Sequence, residues 1–391
     1  MVALMIAAGA LSLPARAQAI GDELASRLTE AQQRQYVVYL RARAHHDRLS
    51  AEYWSAVEDL REQRRRKRSA GQPFTVGDFV AVQPPRYAGP PIPPDVAKII
   101  ASLRSPAKPD EDMAVVSDFL DSARKEFGFV PVRSSEAQFM RRYAEESLSL
   151  GLTKDQVVRV YALETGGRGT ADMQAGIDPE TKKGRPISSA LGYAQLLGAN
   201  SVNELAKHGD MFVSRLEALA VAPGISSANV ASIRSRVRAL RKMIRAVRSV
   251  PNNWSAHVAF ARTPKGLGIH ALNLDADIGP WLQTIKLKGV RDYAEKAGRP
   301  RLSGAEIELM NLAGPQTGLD MMDTPGRDMP TTNFFTEKAY NRNPIVKDKT
   351  GAELLQALES RMDQNVLKSG SVAFAKAFDA AIASRRAAAR R

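Results

Sequence analysis

The chain has 391 residues, a formal net charge of +14 and an apolar content of 44%. This length is enough for two domains, and the apolar content excludes a wholly disordered protein. The absence of cysteine excludes disulfides, thiolate catalysis and cysteine-ligated zinc. The positive charge favours an anionic partner. Because no zinc-finger, RNA-recognition or basic-zipper pattern is present, we expect that partner not to be a nucleic acid.

The N-terminus has the pattern of an export signal. An apolar run from Val2 to Leu13 is followed by Pro14 and by Ala17-Gln18-Ala19. Small residues spaced in this way after an apolar run are typical of a cleavage site. We therefore predict a signal peptide over 1–19 and a periplasmic protein. The alternative is an uncleaved buried or anchoring helix, since no basic residue precedes the run.

Residues 20–69 are predicted to form an N-terminal helical hairpin. Apolar side chains recur at helical spacing over 36–40 and again over 53–60, and Ser50 is suited to cap a second helix. The basic run 64–68 is typical of a solvated helix end, and a nucleic-acid signal is the other interpretation. The proline-rich residues 70–110 cannot sustain a helix and predict an extended linker at a domain boundary.

Residues 111–391 carry mostly helical patterns. Val115, Phe119, Ala123 and Phe127 lie four apart, and further helices are expected at about 136–148 and 352–388. A helix over 227–250 is strongly basic and contains no acidic residue. We predict that it contacts an envelope protein or an anionic surface, with an ordinary solvated face as the alternative. The fold class predicted for the chain is all-α.

The most informative stretch ends at Glu164. Thr153 is a good N-cap, and Gly166-Gly167 a good helix stop. Between them Val157, Val160 and Tyr161 form an apolar stripe, and Glu164 occupies its next position. Burial and the negative end of the helix dipole both raise the pKa of a carboxyl placed there. A carboxylic acid that stays protonated near neutral pH is what glycosidic bond cleavage requires.

A second pattern follows, in which Gln195 lies 31 residues after Glu164. In Ser188-Ser189-Ala190-Leu191-Gly192-Tyr193-Ala194-Gln195-Leu196 a serine cap is expected to open a short helix that carries Gly192 and Gln195. Glycine permits close approach of a ligand or a neighbouring helix, and glutamine offers both a donor and an acceptor to a sugar. Residues 201–204 then resemble a capping box, leading into a helix that we expect to stop at Gly209.

Together the two patterns resemble the lysozyme-like catalytic domain of lytic transglycosylases. The resemblance implies that residues 111–391 form this domain, with extra helices and an insertion at about 210–300. It also implies that Glu164 alone serves as acid and then base when the MurNAc–GlcNAc bond of peptidoglycan is broken. The substrate-binding residues it implies are Thr165, Gly192, Tyr193, Gln195 and Asn311. Asn311 begins Asn311-Leu312-Ala313-Gly314-Pro315, which is similar to a third family motif, and Ala339-Tyr340-Asn341 is a second candidate for that motif.

Two alternatives remain open. In an inverting hydrolase a second carboxylate would activate water, and Asp172 or Asp178 could serve. A non-catalytic module that keeps the fold and binds cell wall or an envelope partner is the other function class. We predict no cofactor. We also predict no metal, because the adjacent His45 and His46 point apart on a helix.

Overall fold

The computed structural model describes residues 23–103 and 113–390. All regular elements in these ranges are helical, and their extended pairings are isolated bridges. The prediction of an all-α fold is therefore confirmed. The chain divides into two compact units, Met1–Asp112 and Met113–Arg391. In the described ranges no helix is long and apolar enough to cross a membrane. The predicted signal peptide, 1–19, lies outside them.

The first unit is built on one 40-residue helix, α1 (Glu30–Ser69), so the predicted hairpin is wrong. Thr29 caps α1, and Ser50 lies inside it. The region expected to turn has no glycine or proline, and the Arg43–Asp47 ion pair at 3.0 Å spans one helical turn there. Since nothing breaks the backbone hydrogen bonding, the two apolar stretches continue as one helix.

The proline-rich segment belongs to the same unit and is not a free linker. It packs along α1, where the Tyr53 hydroxyl donates to the Val82 carbonyl at 3.0 Å and the Tyr87 ring meets that of His46 at 5.6 Å. A further helix, α2 (Pro94–Leu103), begins at a proline, which the first helical turn tolerates. Extended proline backbone has a fixed φ, so it can pack on a helix at low entropic cost.

The second unit contains thirteen helices among its described residues. They are α3 (Val116–Phe127), α4 (Glu136–Ser149), α5 (Lys154–Glu164), α6 (Gly198–Ala220), α7 (Ser227–Arg248), α8 (Trp254–Ala261), α9 (Pro264–His270), α10 (Ile278–Lys296), α11 (Gly304–Ala313), α12 (Pro315–Met322), α13 (Glu337–Arg342), α14 (Gly351–Asn365) and α15 (Ser369–Ala389). The predicted helices near 116–127, 136–148 and 227–250 are confirmed. Residues 210–300, expected as an insertion, supply α7 to α10 and share the core of this unit.

Two apolar clusters hold this unit together. One is formed by α3, α6, α7, α9 and α10, with Phe119, Phe212 and Leu240 fully buried. The other is aromatic and joins α4, α5 and α15 through Tyr143, Tyr161 and Phe374. The Phe374 ring lies 5.6 Å from the Tyr143 ring and 5.1 Å from the Tyr161 ring. Aromatic pairs at this separation add stability beyond their buried area. The second cluster fixes the position of α5.

Three local predictions in this unit are wrong. The helix expected over 352–388 is two helices, because the chain turns at residues 366–368 and brings Gly370 against the Tyr161 hydroxyl. The helix expected to carry Gly192 is a tight turn closed by a Leu191–Leu196 bridge. The expected capping box lies inside α6, as does Gly209, where a β-carbon would lie 2.5 Å from the Ile244 side chain. Glycine there serves helix packing and does not end the helix.

Candidate active site

Glu164 is the last residue of α5. Thr153 and Gln156 form a capping box at the start of this helix, and Val157, Val160 and Tyr161 are buried, as the sequence predicts. Gly166 and Gly167 follow with φ of 62° and 74° and turn the chain away. These conformations favour glycine. The Glu164 side chain is therefore held at a helix end, largely enclosed by protein but still partly exposed to solvent.

Helix α11 places two polar side chains beside Glu164. Its N-terminal Gly304 allows close contact with α5, since a β-carbon there would lie 2.7 Å from that of Arg159. Glu308 and Asn311 follow at intervals of four and three residues, so all three positions share one helix face. The Asn311 Nδ2 donates to Glu164 Oε1 at 3.5 Å and to Glu308 Oε1 at 3.4 Å. The structure thus brings Asn311, one of the predicted residues, to Glu164.

Helix α10 supplies a cation to the same site. The Lys286 Nζ donates to Asn311 Oδ1, and its charge acts on both glutamates. Burial lowers the pKa of Lys286, although Glu308, Glu164 and Glu204 of α6 oppose this effect. The cluster therefore contains two carboxyls, one amide and one ammonium group, which come from three helices.

The two glutamates share a hydrogen bond and differ in exposure. Burial, the charge of Glu308 and the hydrogen bond to Glu308 raise the pKa of Glu164 well above its usual range, while Lys286 opposes the rise. Burial also raises the pKa of Glu308 to about 7, against the effect of its bonds to Glu164 and Asn311 and of the Lys286 charge. Glu308 is 4% exposed. Both shifts favour the protonated acid, and Glu164 is the member of the pair that reaches solvent.

The turn that carries Gly192 and Gln195 packs against other residues of the protein and forms hydrogen bonds with them. A β-carbon at Gly192 would lie 2.5 Å from Nε2 of the buried Gln283 in α10, so glycine makes room for this side chain. The Gln283 Oε1 accepts from the Ala194 N–H at 3.0 Å. The Gln195 Nε2 donates to the carbonyls of Met173 and Gly192 at 3.1 and 2.8 Å. Direct sugar contacts by Gly192 and Gln195 stay predictions.

Two other predicted substrate contacts are buried in the protein. Tyr193 is 1% exposed and donates its hydroxyl hydrogen to Glu136, and Thr165 is 4% exposed and donates to the Tyr161 carbonyl at 2.7 Å. The expectation that these side chains touch substrate is corrected, because neither presents a free polar atom to a ligand. Glu136 also accepts from the Ala171 N–H at 3.1 Å and so joins the two motif loops. Burial raises the pKa of Glu136, although its hydrogen bonds oppose this.

Asp172 and Asp178 lie in the loop between the motifs, where both are already engaged. Asp172 accepts from Thr170 at 2.7 Å and pairs with Arg133 and Lys182, each at 3.3 Å. Although burial opposes ionisation, these contacts hold its pKa below the usual range. Asp178 accepts from the Thr181 backbone and side chain, which lowers its pKa. Both residues line a pocket of about 230 Å³ whose lining excludes Glu164.

The basic helix is α7, and its charge is partly neutralised. Arg236 is 5% exposed and pairs with Asp275 at 2.9 Å and with Asp277 at 2.8 Å. Arg241 and Arg248 also form ion pairs, with Glu217 and Asp210. The exposed face still presents a row of cations at helical spacing, namely Arg234, Arg238, Lys242 and Arg245. Among the described residues, no group of three or more histidine, aspartate or glutamate side chains is placed to hold a metal ion.

Comparisons of the chain with protein families, with curated proteins and with solved structures found no match. Sequence reasoning found Glu164 and Asn311 and missed Glu308, Lys286 and Gln283. Glu308 carried a usable signal, because it is a carboxylate inside the apolar run Ile307–Met310 and lies one turn before Asn311. Lys286 carried no signal that separates it from the other lysines of the chain.

Proposed function

We propose that this protein is a lytic transglycosylase that cleaves the glycan strands of peptidoglycan, with Glu164 as its catalytic acid and base. The observation that carries the proposal is a partly exposed carboxyl at the end of α5, beside Glu308 and Asn311, whose pKa is raised by burial and by Glu308. An acid of raised pKa is the group that protonates a glycosidic oxygen at neutral pH. The resemblance of the motifs around Glu164 and Gln195 to the lysozyme-like catalytic domain gives the substrate class.

The reaction needs a single carboxyl used twice. Glu164 gives its proton to the glycosidic oxygen, and the bond between this oxygen and C1 of MurNAc breaks. The C6 hydroxyl of the same sugar then attacks C1, and its proton passes to Glu164. The new C1–O6 bond makes a 1,6-anhydro product, consumes no water and restores the protonated acid. Asn311, which is partly exposed beside Glu164, is the proposed hydrogen-bonding partner of the bound sugar.

Digestion of purified peptidoglycan sacculi tests the proposal. Wild-type protein is expected to release muropeptides with 1,6-anhydro ends, identified by mass spectrometry. Glu164→Gln removes the proton donor but keeps a similar shape, so cleavage is expected to fall by about 10²–10⁴-fold. Glu295→Gln, at an exposed position of α10, is the matched control and is expected to cleave like wild type. Equal cleavage by Glu164→Gln and wild type would refute the assignment of the acid.

The same assay separates the alternatives. Products with reducing ends would identify a hydrolase, and Asp172→Asn and Asp178→Asn would then be examined for loss of activity. For a transglycosylase both variants are expected to stay active, because these carboxylates hold the loop through Lys182, Arg133 and Thr181. Binding of sacculi without any cleavage would favour the non-catalytic module.

We further propose a periplasmic location after export, with the exposed cations of α7 contacting an anionic partner. The peptide stems of peptidoglycan carry carboxylates and are the partner that fits the proposed activity. Such binding depends on the row that includes Arg234, Arg238 and Lys242, and it should weaken as salt increases because exposed charges are screened. Recovery of a protein that begins at Ile20 from the native envelope would support export.

A further inference from the structure

Glu308 and Lys286 lie beside Glu164, and neither belongs to the motifs that resemble those of lytic transglycosylases. We propose that Glu308, supported by Lys286 through Asn311, is the positioning group that lets Glu164 act first as an acid and then as a base. The inference rests on the proposed function for its chemistry. The arrangement of the four side chains is independent of any substrate.

The geometry assigns each group a different part. Glu308 is 4% exposed, so it acts through its neighbours and not by direct contact with a glycan. Asn311 donates from one amide nitrogen to both carboxyls, at 3.5 Å to Glu164 and 3.4 Å to Glu308. Lys286 donates to the amide oxygen of Asn311 and thereby fixes which end of the amide faces the carboxyls.

This arrangement favours one proton on the pair. Two carboxylates that share a hydrogen bond cannot both ionise without strong repulsion, and a single ammonium group balances only one of them. In the proposed cycle the proton begins on Glu164, while Lys286 balances the charge of Glu308. After Glu164 has protonated the leaving oxygen, two anions face each other. Recovery of a proton from the C6 hydroxyl is then favoured.

The other charged groups near the site pair elsewhere, are exposed, or act on Lys286. Helices α14 and α15 pair with α5 nearer its start, through Arg159–Asp363 at 2.7 Å and Lys154–Asp379 at 2.7 Å. Arg168 and Lys368 follow the site in exposed positions. On α6, Glu204 acts on Lys286. Besides burial, Glu308 and Lys286 are therefore the groups that set the pKa of Glu164.

Titration of the side-chain carboxyls by ¹³C NMR tests this in the free protein labelled at glutamate Cδ. Glu308→Gln removes the anion, so the pKa of Glu164 is expected to fall by roughly one unit or more. Lys286→Met removes the cation, so the pKa of Glu308 is expected to rise above about 7. The two variants therefore shift the pair in opposite directions, and Glu295→Gln should shift neither group.

The pH profile of sacculus cleavage tests the same proposal through activity. Activity needs protonated Glu164, so it falls as the pH rises through the pKa of this group. Compared with wild type, this fall is expected at lower pH in Glu308→Gln and at higher pH in Lys286→Met. A purely structural role would lower activity at every pH without moving the profile. The proposal is overturned if Glu164 titrates unchanged in folded Glu308→Gln. If that variant does not fold, an unchanged pKa of Glu308 in Lys286→Met overturns the proposal. A wild type that cleaves nothing defeats the proposed function, while the titration still decides this inference.

Discussion

Two neighbouring glycines after Glu164 offer a controlled test of how the site is anchored. Gly166 and Gly167 both adopt left-handed conformations, with φ of 62° and 74°. Among the described residues no atom lies within 4 Å of a β-carbon built at Gly166. At Gly167 the same atom would lie 2.4 Å from the Asn365 carbonyl oxygen of α14. Replacing each glycine by alanine therefore adds the same backbone strain but a clash at only one position.

The expected magnitudes follow from these two terms. Left-handed backbone costs an L-residue about 1–2 kcal/mol, and the stiffer unfolded chain returns about 0.4–1 kcal/mol. Gly166→Ala should thus lower the free energy of unfolding by about 1 kcal/mol. Gly167→Ala must also displace the Asn365 carbonyl, at a further cost of about 1–3 kcal/mol. Because Gly167 also accepts the Ser371 N–H at 3.2 Å, that shift would move the end of α5 and with it Glu164.

Urea unfolding followed by tryptophan fluorescence measures the difference. A common Trp54→Phe background leaves Trp254 and Trp281, both in the second unit, as the reporters. Gly167→Ala is expected to unfold at lower urea than Gly166→Ala and to lose more glycan cleavage. Equal losses of stability in the two variants would show that the contact with Asn365 does not anchor the turn.

Two further predictions concern buried charge. Arg236→Met leaves Asp275, whose side chain is 0% exposed, without its cation, so the free energy of unfolding should fall by about 3–5 kcal/mol. Arg248→Met breaks an exposed ion pair and should cost at most about 1 kcal/mol, and a similar loss in both would contradict the argument. The second prediction concerns pH. Because the folded state raises the pKa of Glu308 from 4.5 to about 7, it binds more protons than the unfolded state, and stability should fall as pH rises between these values. Relative to wild type, Glu308→Gln should therefore gain roughly 3 kcal/mol over this range, and a constant difference would refute the shift.

Local patterns predicted the helices that depend on neighbours in sequence. Thr153 and Gln156 at the start of α5, and Gly166 at its end, act through backbone groups within a few residues. The same is true of the apolar face of α7.

The same local signals misled where two continuations were both allowed. Ser50 can cap a helix or lie inside one, and without a glycine or proline near it the backbone hydrogen bonding continues, so one long helix stands where a hairpin was expected. Around Gly192, helix and tight turn compete, and the Gln283 side chain from α10 favours the turn. The second choice cannot be made from residues close in sequence.

By itself the sequence determined an all-α chain and a glutamate at the end of a helix, because helical periodicity and capping are local. Only the tertiary structure decided what surrounds Glu164. Glu308 and Lys286 lie 144 and 122 residues from Glu164 along the chain, counted as 308 − 164 and 286 − 164. Their effect on a proton depends on distance in space and on burial, which packing of α5, α10 and α11 creates.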